Sequence, residues 1–257
     1  MKERDSLVHL IVSHRKNPAL RVRYDLNNWK KEINDSELVK LLHLKIAQKI
    51  CRTDVLNYYL SEEDSVRKFI LSMFWGGIRN NFLKSIISEN KEELARKIYT
   101  IEGVLKSKKA EVIDSYLEVN SGIHVWGVGL SFITKHLYFA DQGKNFFIYD
   151  KWTKKFHYAY MLEFDRKRVK DFFCDFDSIE YSSDLRIKKG MHGEAYFHFC
   201  HSLRHIFQKV NKKLEKAEQF REVGELEAFV FGEGGRAKKE SRTNPRHWIL
   251  DYIKQNK

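Results

Sequence analysis

Only two prolines, Pro18 and Pro245, interrupt the 257 residues, and 13 glycines supply the remaining strong turn signals. An all-β architecture needs such punctuation at short, regular intervals, so this spacing predicts a mainly α-helical protein with few or short strands. The length suits one large domain or two small ones, each able to bury a core. With 42% hydrophobic and 32% charged residues the composition is that of a folded globular chain. The net charge of +12 favours a polyanionic partner without naming one. Cys51, Cys174 and Cys200 form no CxxC or Cys/His cluster. Met1–Asp5 carries both signs of charge and leads into only a short apolar run, which is neither a secretory signal nor a membrane span. These features predict a cytoplasmic monomer with no membrane partner.

Helical periodicity predicts helices over Ser36–Ile50, Glu62–Trp75, Asn81–Ser88, Lys91–Tyr99, Ala110–Val119, Leu130–Phe139, Arg166–Phe173, Tyr196–Leu214 and Arg246–Ile253. Ser36 is a candidate cap for the first, and Gly76-Gly77 stops the second. Asp141–Lys144 reads as a turn, Phe146–Tyr149 as a short extended run, Asp175–Gly193 as irregular, and Phe231–Gly235 as a glycine-rich turn.

The segment from Ala110 to Trp152 carries the chemistry. A helix ends near Ser121, a tight connection follows through Gly127-Val128-Gly129, and a second helix starts near Leu130. Glycines let the backbone approach another molecule. The first amides of the second helix lack intrahelical partners at the positive end of its dipole, so a phosphate can bind there without a charged side chain. The alternative is a packed helix–helix turn whose glycines only permit close contact. Asp150 ends the apolar run 21 positions beyond Gly129, with Tyr149 and Trp152 beside it. That placement suits a carboxylate at a pocket mouth; a helix cap or an ion-pair partner is the plain alternative.

This stretch resembles the helix-hairpin-helix, Gly/Pro-rich loop and Asp (HhH-GPD) signature of the DNA glycosylase superfamily that includes 8-oxoguanine glycosylases. The resemblance implies the helical fold of that superfamily: one glycosylase-like domain over residues 1–257, with room for two helical lobes and the hairpin near 110–152 at the cleft. It places Asp150 on the catalytic aspartate and Gly127, Val128 and Gly129 on the hairpin that binds the DNA backbone. Trp126 stands where proline is usual, and Ser131 occupies the position of the Schiff-base lysine. Serine cannot form an imine, so the resemblance implies a monofunctional enzyme that uses water. Lys135, one turn further on the same face, is the nearby amine.

The implied reaction is hydrolysis of an N-glycosidic bond. Asp150 would stabilise an oxocarbenium-like transition state and orient or deprotonate the water. A base taken from the stack needs an aromatic pocket, for which Trp75, Trp126, Tyr149 and Trp152 are candidates, each with core packing as the alternative. No cofactor is required. The resemblance also implies a K+ or Na+ at the backbone carbonyls of Ile123, Val125 and Val128, and no side chain is expected to bind metal. Three basic runs are candidate phosphate contacts: Lys106-Ser107-Lys108-Lys109, Arg166-Lys167-Arg168, and Arg236 with Lys238 and Lys239. His198, His201 and His205 share a helix face and read as surface or hydrogen-bonded core histidines. The biological setting of such an enzyme is base excision repair or anti-phage defence. Against the enzyme stand a non-catalytic helix-hairpin-helix module binding DNA, and a helical interaction protein with a chance Gly-Val-Gly turn.

Overall fold

The computed structural model describes residues 6–16, 31–33, 35–43, 48–174, 185–240 and 248–256, with the side chains of 48 and 232–240 left out. In chain order these form α1 (Leu7–Lys16), β1 (Lys31–Ile33), α2 (Ser36–Leu41), β2 (Gln48–Ile50), α3 (Arg52–Ser61), α4 (Ser65–Gly76), α5 (Asn80–Ser88), α6 (Lys91–Ser107), α7 (Ala110–Leu117), α8 (Leu130–Ala140), α9 (Lys151–Phe164), a 3-10 turn (Arg166–Arg168), α10 (Val169–Phe172), α11 (His192–Asn211), α12 (Val223–Glu240) and α13 (Trp248–Asn256). The mainly α expectation holds. Strands β1 and β2 pair antiparallel, Lys31 opposite Ile50. No described helix is long and apolar enough to cross a membrane.

The chain divides into two compact units, residues 25–148 and residues 1–24 with 149–257. The first is organised around α4. Asp64 accepts the amides of Val66 and Arg67 to start it, and Gly77 ends it in the left-handed region at φ 85°. Its buried face of Val66, Phe69, Ile70 and Met73 packs against α6 and α8. In the second unit α9 is the central helix. Thr153 and the whole stretch from Lys155 to Leu162 are buried, and α9 packs against α1, α11, α12 and α13.

Two sequence expectations are corrected. Residues 36–50 do not form one helix. Asp35 rather than Ser36 caps α2, the helix stops at Leu41, and His43 adopts a left-handed φ of 53°. The ladder to β1 then buries Ile33 and Ile50 together, a non-local pairing that overrides the local period. Phe231–Gly235 is not a turn but the middle of α12. Glycine weakens a helix by about 1 kcal/mol without forbidding it. The preceding turns are anchored by buried Leu226, Phe229 and Val230. Helix α6 runs on to Ser107, because Ile101 and Val104 continue the buried stripe. The chain is irregular over 185–191, α11 starts at His192, and residues 175–184 lie outside the described residues. Helical periodicity in the sequence does not mark α1, α3, α9 or α12.

Candidate nucleic-acid and catalytic site

The hairpin belongs to the first unit and is built by α7, a short turn and α8. The His124 ring donates from Nδ1 to the Tyr116 carbonyl at 2.9 Å, tying the connection back to α7. The Val128 amide donates to the Val125 carbonyl at 3.1 Å and closes the tip. Gly127 is required twice over. Its φ is 77°, and a Cβ there would lie 2.6 Å from Phe82 Cγ. Phe82 meets the Trp126 ring edge-on at 4.8 Å, and Trp126 is 59% exposed. Gly129 differs: among the described residues, a Cβ would meet nothing within 4 Å. Gly129 caps α8 with no side-chain bond. Among the described residues, the amides of Gly129, Leu130 and Ser131 donate no hydrogen bond. A helix N-terminus whose amides have no partner among the described residues is an anion-accepting surface.

Ser131 lies in the first turn of α8. The Lys135 ammonium donates to its hydroxyl at 2.9 Å and sits 4.7 Å from the Phe132 ring centre. Lys135 is buried, and its stem runs so close to Gly76 that a Cβ there would be 2.7 Å from Lys135 Cδ. Lys31 is a neighbour the sequence did not reveal. Its ammonium donates to the Phe74 carbonyl at 2.8 Å, and burial, followed by the Lys135 charge, lowers its pKa. Two amines thus gather at the C-terminal end of α4, where the helix dipole favours cations. Trp75 is half-buried, edge-on to Phe139 at 5.2 Å.

Asp150 belongs to the second unit and is the N-cap of α9. Its Oδ1 accepts the amides of Trp152 and Thr153 at 2.8 and 3.1 Å, and the Thr153 hydroxyl accepts the Asp150 amide at 2.7 Å. The result is a capping box that fixes the residue at both ends. Asp150 is 8% exposed. Among the described residues no hydrogen bond falls on Oδ2. Tyr149 is fully buried and stacks on Phe199 at 4.6 Å, so its ring belongs to the core. Trp152 is half-buried, with the Lys155 ammonium 4.5 Å from its ring centre. Asp150, Tyr149 and Trp152 therefore share one unit, while the hairpin, Ser131, Lys135, Trp75 and Trp126 share the other.

A family-level comparison matches residues 16–231 to "Putative 8-oxoguanine DNA glycosylase OGG-like protein". The chain belongs to this family. Searches of curated proteins and of solved structures returned no match.

Within this OGG-like chain, the other sequence candidates fall as follows. Lys106, Lys108 and Lys109 are exposed at the α6–α7 junction. Arg168 lies 3.8 Å from both Asp165 and Asp171. The side chains of Arg236, Lys238 and Lys239 lie outside the described residues. His205 Nδ1 is 2.8 Å from the Tyr160 hydroxyl, and His201 is exposed. Among the described residues no cluster of metal-ligating side chains occurs. A cavity of about 320 Å³ is lined by Glu163, Phe164, Lys209, Lys212 and Lys213 and does not include Asp150.

Proposed function

We propose that this OGG-like protein is a monofunctional DNA glycosylase that removes a modified or mispaired base, acting as a cytoplasmic monomer in base excision repair or anti-phage defence. The observation that carries the reading is the Asp150 carboxylate, pinned through Oδ1 and without a partner on Oδ2 among the described residues. A fixed, nearly buried oxygen can face a developing oxocarbenium ion with little reorganisation, which is where electrostatic stabilisation is largest. The same oxygen orients or deprotonates the attacking water. The open α8 N-terminus takes a phosphate of the strand and reads no sequence. Trp75, Trp126 and Trp152 remain candidates for stacking on an extruded base, whereas Tyr149 acts from within the core. No cofactor is needed; the carbonyls of Ile123, Val125 and Val128 are the oxygens that would hold K+ or Na+, that of Val125 with its second lone pair, since it also accepts the Val128 amide.

The test is mass spectrometry of free bases released from damaged and phage-derived duplexes, with wild type and Asp150→Asn side by side. Release that the variant loses while it keeps salt-sensitive DNA binding supports the reading. One observation favours a non-catalytic helix-hairpin-helix DNA-binding protein instead: the capping box alone gives Asp150 a complete structural role. Binding without release across the whole panel would establish that alternative. Lys135 donates to Ser131, which stands at the family's lysine position. Borohydride reduction in the presence of abasic-site DNA should therefore trap no covalent complex, and a trapped adduct lost in Lys135→Ala would replace the monofunctional assignment by a lyase.

A further inference from the structure

Four side chains of the second unit form one unbroken line of hydrogen bonds that starts at the residue before Asp150. The Tyr149 hydroxyl lies 2.7 Å from His157 Nδ1, His157 Nε2 lies 2.7 Å from His198 Nδ1, and His198 Nε2 lies 3.2 Å from Asp165 Oδ2. A carboxylate only accepts, which fixes the direction of every bond. His198 donates from Nε2 to Asp165, so its Nδ1 accepts from His157 Nε2, and His157 Nδ1 accepts from the Tyr149 hydroxyl. Ser202 does not compete, because its hydroxyl donates to the His198 carbonyl at 2.8 Å. Tyr149 and His157 are fully buried, while Asp165 is half-buried. The line thus joins the core beside Asp150 to the surface.

We propose that Tyr149, His157 and His198 are positioning residues for the Asp150 carboxylate, holding the 149–150 peptide against α9 through this directed line. The inference rests on the reading that Asp150 carries the chemistry. Asp150 is held from one side by the first amides of α9; Tyr149 is held from the other by His157, two turns into the same helix, and by Phe199 of α11. The two holds act on the two residues that flank the 149–150 peptide. The direction of the line also makes it sensitive to protonation. A proton on His198 Nδ1 turns that atom into a donor facing the His157 donor, and the line breaks. Burial, then the His198 charge, keeps His157 well below the usual histidine range, so it stays neutral. His198 is lowered first by burial and then by Arg168 and His201, while Asp165 opposes them. The other groups facing His198 are Tyr160 of α9, at 6.1 Å between rings, and Phe172 of α10, at 5.3 Å.

The experiment is NMR of the isotopically labelled full chain between pH 8 and pH 5, following the imidazole nitrogens, the Asp150 carboxyl carbon and the Trp152 and Thr153 amides. In the wild type both histidines should show the Nε2–H tautomer, and the two amides should shift with the midpoint of His198. His198→Asn keeps an acceptor and cannot charge, so the shift should vanish. Tyr149→Phe keeps the ring stack, and there the shift should vanish while His198 still titrates. Amides that ignore the His198 midpoint, or that still follow it in Tyr149→Phe, overturn the proposal. On whichever duplex wild type acts, Tyr149→Phe should lower kcat about ten-fold or more with KM little changed, the mark of a misplaced group; an unchanged kcat also overturns it. If wild type releases no base at all, the catalytic reading of Asp150 fails, and the amide titrations still decide the coupling independently.

Discussion

Two helix N-termini in this chain are treated in opposite ways. At α8 the cap is Gly129, which has no side chain, and three successive amides donate to nothing among the described residues. At α9 the cap is Asp150, whose carboxylate takes two amides while Thr153 returns the bond. Both ends carry the same positive dipole. One leaves it for an anion from outside. The other satisfies it with an anion of its own, and in doing so immobilises that anion. A phosphate is favoured at the first and repelled by the second, whose carboxylate favours a neighbouring positive charge instead. On the proposed reading the difference separates gripping from chemistry: backbone would do one and a side chain the other.

The charge at the closed end can be changed without opening that end. Asp150→Asn keeps an amide oxygen able to cap, so stability should fall by no more than about 1 kcal/mol, while base release should fall by roughly a hundred- to a thousand-fold. Asp150→Ala loses both roles and should cost about 1–2 kcal/mol of stability as well. Thermal melts beside single-turnover assays separate the two. Equal melting temperatures with equal activities in wild type and Asp150→Asn would reduce the carboxylate to a cap.

At the open end the largest structural effect belongs to Gly127. Alanine there must adopt a positive φ and displace Phe82, so Gly127→Ala should destabilise by roughly 2–4 kcal/mol, read from the denaturation midpoint. Trp126 should lose its edge contact with Phe82 at the same time, visible in its fluorescence.

The unit that holds the closed end should also respond to acid. His14, His157, His198 and His205 all have pKa values lowered by burial as the leading cause. The unfolded chain therefore binds protons below about pH 6.5 that the folded one refuses, and stability rises with pH across that window. The melting temperature should drop by several degrees between pH 7 and pH 5. His157→Phe should flatten that slope, because it removes the most strongly depressed of the four.

Much of the open end was legible in the sequence, and much of the closed end was not. The hairpin was readable because glycine and helix-start signals are local: Gly127 and Gly129 mark it within three residues. Asp150 was found by its distance from that hairpin. Helix α9, which Asp150 starts, went unseen because it is buried on nearly every side, so no polar face marks a helical period. The same burial hid the line from Tyr149 to Asp165, whose member His198 lies 41 residues beyond His157 and 33 beyond Asp165 and joins them only through the packing of α9 on α11. His198 and His205 looked alike in their spacing, yet one ends on a carboxylate and the other on Tyr160. The β1–β2 pairing was lost to the same cause, a contact between segments whose local periods say nothing of each other.

The mildest change is the one that converts the open end into a copy of the closed one. Gly129→Asp adds a side chain where no described residue lies within 4 Å, at a φ of −87° that any residue adopts. Its carboxylate can cap the Ser131 and Phe132 amides, so the folded chain should gain about 0.5–1 kcal/mol rather than lose stability. That gain should come at the expense of the anion from outside. A capped, negatively charged N-terminus repels a phosphate, so affinity for a DNA duplex should weaken, and the slope of log affinity against log salt should fall by about one contact. A more stable variant with weaker binding would show that the unpaired amides are used. A more stable variant that binds as before would mean that the strand is gripped elsewhere, by the basic runs rather than by the hairpin.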